Sequence, residues 1–110
     1  MTVSLFSRVV DDHFYGEHKR LQELRDRSSF YEEFDVGFVM LVPENNNQFR
    51  LIAGAIDNDF NVGMFKCISK LLRCRQGSIY IQFTANYERL FKASKRYGGI
   101  QVVDGIVLFP

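Results

Sequence analysis

Gly77-Ser78-Ile79-Tyr80-Ile81-Gln82-Phe83, then Asn86-Tyr87-Glu88-Arg89-Leu90-Phe91-Lys92-Ala93-Ser94-Lys95-Arg96-Tyr97-Gly98-Gly99, then Ile100–Val103 and Ile106–Phe109 around Asp104-Gly105, form the stretch that decides the fold. Residues 78–83 are a short apolar run entered through a Gly, which reads as a strand. Residues 86–97 mix cationic and apolar positions and end in Gly98-Gly99, the pattern of a short helix with a glycine stop. Asp-Gly between two apolar runs is the strongest hairpin signal in the chain. The closing third is therefore a strand, a cationic helix and a hairpin.

Working back from Gly77, residues 61–75 read as a helix. Met64, Phe65, Ile68, Leu71 and Leu72 are assigned to one apolar face, with Lys66, Lys70 and Arg73 on another. Gly37–Val42 is a continuous apolar run of strand length, and residues 49–56 return after the polar loop Pro43–Gln48, so the two predict an antiparallel hairpin. Asp57-Asn58-Asp59 ends it. Val3, Leu5, Phe6, Val9 and Val10 predict a first strand over 3–10. Asp11 and Asp12 then read as the start of a long helix carrying Phe14, His18, Leu21 and Leu24, because carboxylates suit the open amides of a first turn. Ser28-Ser29 breaks it, and Phe30–Phe34 reads as a second short helix. The resulting order, β-α-α-β-β-α-β-α-β-β, is an α+β fold: a mixed, mostly antiparallel sheet with flanking helices, in one domain spanning 1–110.

Composition narrows the function classes. A hydrophobic share of 46% with 11 Phe argues against disorder. No apolar run reaches the roughly 20 residues of a membrane helix and the start has no signal-peptide pattern, so no membrane association and a cytoplasmic location are expected. Cys67 and Cys74 lie seven apart on one helix, too far for a bridge, which predicts reduced thiols. His13 and His18 point about 140° apart on a helix, so no metal site is expected there. The net charge of +1 is uneven: residues 1–56 carry −3 and residues 57–110 carry +4. That basic half suits a phosphate-bearing ligand or an acidic protein surface. Nucleic-acid binding through Lys66, Lys70, Arg73, Arg89, Lys92, Lys95 and Arg96 is a competing reading, but the pI of about 7.8 is far from that of a strongly basic domain.

The strand ending near Asn86, the short helix, its Gly98 stop and the final strand pair resemble the closing half of the GNAT acetyltransferase fold, and the element order is similar over nearly the whole chain. The resemblance implies a V-shaped opening between two central strands for acetyl-CoA. It implies a pyrophosphate seat at the helix start Asn61-Val62-Gly63-Met64 with Lys66 one turn in, and a contact from Asn86 to the pantetheine arm. It also implies a thiolate-protonating group near the end of the second helix, where Ser94 and Tyr97 stand (Tyr87 is a substitute), and a base, for which Asp57 leads over Glu32, Glu33 and Asp59. The chain departs from the family at residues 57–64, Asp-Asn-Asp-Phe-Asn-Val-Gly-Met: a single Gly, no preceding basic residue, and two carboxylates that repel pyrophosphate.

Small phage proteins with a reduced GNAT-like fold, among them internal-virion and early host-takeover proteins, are similar in size and in this departure. The expectation is a protein that binds another protein, in a virion or against a host target, through Lys92, Lys95 and Arg96, with no cofactor. The alternative is acetyl-CoA-dependent N-acetylation of a protein amine.

Overall fold

The computed structural model describes residues 3–82, 92, 95–103 and 105–110. Ser4 starts the first helix, α1 (Leu5–His13), its hydroxyl accepting from the Ser7 amide at 3.1 Å. The expected strand over 3–10 is thus a helix. Phe6, Val9 and Val10 fall at i, i+3 and i+4 and are all buried, a stripe that one helical face can hide and an edge strand cannot. Asp11 and Asp12 sit in its last turn rather than starting a longer helix. Gly16, at φ +81°, breaks the path where a side chain would be strained, and α2 (His18–Arg27) begins two residues later. The two acidic groups find other tasks: Asp11 accepts from His18 Nε2 at 2.6 Å, and Asp12 accepts from the Asp57 amide at 2.9 Å.

The expected second short helix is also a strand, β1 (Phe30–Glu33), paired antiparallel to β2 (Gly37–Pro43). Here pairing and ring packing override local pattern: Tyr31 stacks on Phe38 at 5.7 Å between centroids, and the Arg25 guanidinium lies 4.1 Å over the Tyr31 ring. β2 and β3 (Gln48–Ala55) form the expected antiparallel hairpin. β3 leads through a short 3-10 turn, Ile56–Asn58, into α3 (Val62–Arg73), which crosses to β4 (Ser78–Gln82), the parallel neighbour of β3. β5 (Ile100–Val103) and β6 (Ile106–Phe109) are the expected hairpin, and β6 inserts beside β4. The six strands lie in the order β1-β2-β3-β4-β6-β5, antiparallel except for β3–β4.

Alternation along β2 sorts the core into two layers. Phe38, Met40 and Val42 face α1 and α2 with Phe6, Val9, Val10, Leu21 and Leu24. Val39 faces α3 and packs with Ala55 and Met64. Farther along, Leu51, Leu72, Ile79, Val107 and Phe109 close the same layer. Burying each such side chain stabilises by about 1.5–3 kcal/mol, so both layers are needed to hold one sheet. A Cβ on Gly54 would stand 2.7 Å from Val9 Cγ1; α1 rests directly on the backbone of β3.

Most of the expected helix over 86–97, with Asn86, Tyr87 and Ser94, lies outside the described residues. Its end is a 3-10 turn, Lys95–Tyr97, and Gly98 follows at φ +83°. No helix among the described residues is long and apolar enough to cross a membrane.

Candidate functional site

Two neighbouring places hold the chemistry-bearing side chains. The first is the end of β3. Its register with β4 runs only from Gln48↔Ser78 to Leu51↔Ile81, so among the described residues Ile52–Ala55 have no β4 partner. At this end stand Asp57, Asp59 and the start of α3.

Asp57 adopts φ 55°, a left-handed conformation uncommon for a residue with a side chain, and its amide is held by the Asp12 carboxylate. Its own carboxylate is exposed. Beside the same Asp12 carboxylate, 3.4 Å from it, His13 Nε2 donates to the Ala55 carbonyl. Asn61 caps α3: its Oδ1 accepts from the Met64 amide at 2.8 Å and its carbonyl from the Phe65 amide at 3.2 Å. The amides of Asn61, Val62 and Gly63 have no hydrogen-bond partner among the described residues. The Phe34 ring lies to one side of Gly63, where an added Cβ would meet it at 3.2 Å, while Gly63 itself stays exposed. Met64 is fully buried and Lys66 exposed.

The second place is the outer face of α3. The buried side of the helix is carried by Met64 and Leu72 with Cys67, Ile68 and Leu71 behind them. Phe65, assigned from sequence to that apolar face, lies outside it. It is 43% exposed, packed against Phe60 at 5.8 Å between centroids, because it is rotated about 100° from Met64. Val62, Phe65 and Ser69 alternate along this face with Lys66, Lys70 and Arg73, the i, i+3/i+4 spacing of one stripe. Tyr97, from the turn after the second basic segment, forms the opposite wall. Its hydroxyl donates to Ser69 Oγ at 3.0 Å, tying that turn to α3. Together they line an open groove of about 520 Å³.

The placement of the sequence-derived candidates follows from these two sites. Asp57 lies at the end of β3 and Tyr97 in the groove wall, with different hydrogen-bond partners and no contact between them among the described residues. Tyr97 already spends its proton on Ser69. Asn61, Val62, Gly63 and Met64 do form a helix start, but the Asn61 side chain occupies the amide of Met64. Lys66 points to the groove stripe. Lys92, Lys95 and Arg96 are exposed, and Asn86 and Ser94 lie outside the described residues.

Sequence reading missed Val62, Phe65 and Ser69 as surface groups. The signal was there in the strict 66, 70, 73 spacing of the cations, which defines a face whose remaining positions are these three. It also missed the bridge in which Arg50 Nε donates to the Tyr80 hydroxyl at 2.6 Å and Tyr80 to Glu44 at 3.1 Å. Arg50 and Tyr80 are register partners across β3 and β4, a relation visible only once the pairing is known.

Burial first, and then the Glu32 carboxylate, push the Cys67 thiol on α3 from 9.0 up to about 11, against the pull of Lys70. This thiol stays protonated and is no nucleophile at neutral pH. Among the described residues no cluster of His, Cys, Asp and Glu has the makings of a metal site. No protein-family model matches the chain, and neither a curated protein nor a solved structure is significantly similar to it.

Proposed function

We propose that this chain is a reduced GNAT-like protein that works by binding another protein, as a virion component or a modulator of a host protein, and not by acetyl transfer. Support for the GNAT-like topology comes from the strand order β1-β2-β3-β4-β6-β5, with its parallel pair β3–β4 bridged by α3. Such a fold uses the opening between those two strands for its cofactor, with the pyrophosphate on the amides that follow.

The observation that carries the reading is the state of that helix start. Asn61 takes the Met64 amide, the Phe34 ring stands beside Gly63 where an added Cβ would meet it at 3.2 Å, and the carboxylates of Asp57 and Asp59 precede the helix. A diphosphate arriving there would meet two negative charges and compete with a cap already made, losing the charge-assisted bonds that anchor it. What the surface offers instead is cationic and apolar, the composition of a protein-recognition patch.

Affinity capture tests the interaction. The chain retains a protein from a lysate of its natural cell, salt weakens the capture, and Lys92→Glu with Arg96→Glu weakens it further while the melting temperature stays put. No partner retained at any salt concentration sinks the reading.

A further inference from the structure

We propose that the groove on α3 is the docking site for an acidic segment of a partner protein that carries an apolar anchor. This deepens the interaction reading above and rests on it. Lys66, Lys70 and Arg73 are exposed along one face of a single helix, and none has a carboxylate partner among the described residues. Arg20, Arg25 and Arg50 are each paired, with Glu17, Glu33 and Glu44, while Arg8 and Arg27 are exposed without a carboxylate partner among the described residues but stand apart on α1 and α2. The net charge of the whole chain is only +1, so three cations on about two turns of helix, with no carboxylate partner among the described residues, are a local concentration.

Two observations favour a peptide over a nucleic-acid backbone. Val62 and Phe65 are 68% and 43% exposed beside the cations, large apolar groups that phosphates would leave in water and a Leu or Phe of a partner would cover. The cations also stand about 6 and 4.5 Å apart along the axis. That matches acidic side chains at i and i+4 of a partner helix, or at i and i+2 of an extended strand at about 6.6 Å. Tyr97, fixed by Ser69, supplies a rigid aromatic wall with a polar tip.

A random dodecapeptide library selected on the immobilised full chain tests this. The recovered peptides should be net acidic with an aromatic or branched aliphatic residue. Their binding should fall at least tenfold on Lys66→Glu/Lys70→Glu/Arg73→Glu, at least threefold on Phe65→Ser, and steeply with salt over a screening length of about 8 Å. Equal melting temperatures of these variants and the parent establish that folding is intact. Peptides without acidic bias, or acidic peptides that bind the charge-reversed chain equally, overturn the proposal. So does a random single-stranded 20-nucleotide DNA that binds the parent more tightly than the selected peptides and loses that binding on the same three reversals; the groove then belongs to nucleic acid. The two levels separate cleanly. A natural partner still captured by the charge-reversed chain removes the groove and leaves the interaction reading standing, whereas the absence of any captured partner removes the interaction reading itself.

Discussion

Gly54→Ala perturbs a place where the N-terminal helix packs directly on sheet backbone. The new Cβ would stand 2.7 Å from Val9 Cγ1, about an ångström inside the usual carbon–carbon contact of about 3.5–4.0 Å. Val9 cannot easily turn away. It is fully buried, and a β-branched residue in a helix has essentially one favoured χ1. Overpacking of this kind costs about 1–3 kcal/mol, or about 4–12 °C in melting temperature for a domain of this size. Val9→Ala alone costs about 1.5–3 kcal/mol through lost burial. In the double variant the offending methyl is gone, so the two costs should fall short of additive by about 1 kcal/mol or more. Thermal or urea unfolding of the four proteins measures that coupling. If residues 3–10 formed an edge strand instead, Val9 would not reach Gly54. Additivity within about 0.5 kcal/mol would therefore refute α1 as placed.

Burial, then the hydrogen bond to Glu33, hold the Tyr31 phenol well above its ordinary range despite Arg25 nearby, and burial raises the Cys67 thiol to about 11. Both groups ionise more readily in the unfolded chain, so the Cys67 contribution is complete below pH 9.0 and is lost as pH rises from 9.0 towards 11, while the Tyr31 contribution is complete below pH 10.0 and is lost progressively above it. Melting temperature should fall over that window, and less so in Tyr31→Phe/Cys67→Ala; an identical fall in both proteins contradicts the assignment. Iodoacetamide at neutral pH should modify exposed Cys74 at least about ten times faster than Cys67, read by mass spectrometry of the peptides. Asn61→Ala should cost about 1 kcal/mol of stability by freeing the Met64 amide, whereas no change on unfolding would mean that the cap is unimportant.

Legibility in the sequence tracks how local the deciding interaction is. The β2–β3 hairpin, α3, β4 and the β5–β6 hairpin were readable because each is announced within its own residues: a continuous apolar run, a helical stripe with a cap, an Asp-Gly turn. Residues 3–10 and 30–34 were not. Val3, Leu5, Phe6, Val9 and Val10 fit a strand poorly and a helix well only if Ser4 is taken as the cap, and the acidic pair that follows imitates a helix start. Phe30–Phe34 becomes a strand because β2 lies beside it and Tyr31 finds Phe38, both facts of tertiary structure. At the site, the lone Gly63 and the carboxylates of Asp57 and Asp59 were plain in the sequence. The approach of Phe34, 29 residues away, to Gly63 was not.

Calorimetric titration of the chain with acetyl-CoA is the most direct test of the central claim, that the helix start at Asn61–Met64 no longer seats a cofactor. The account predicts no heat of binding up to millimolar acetyl-CoA, and amide resonances of residues 61–66 that stay in place through the titration. Micromolar binding that moves those resonances and is abolished by Gly63→Val would contradict it and restore the acetyltransferase reading.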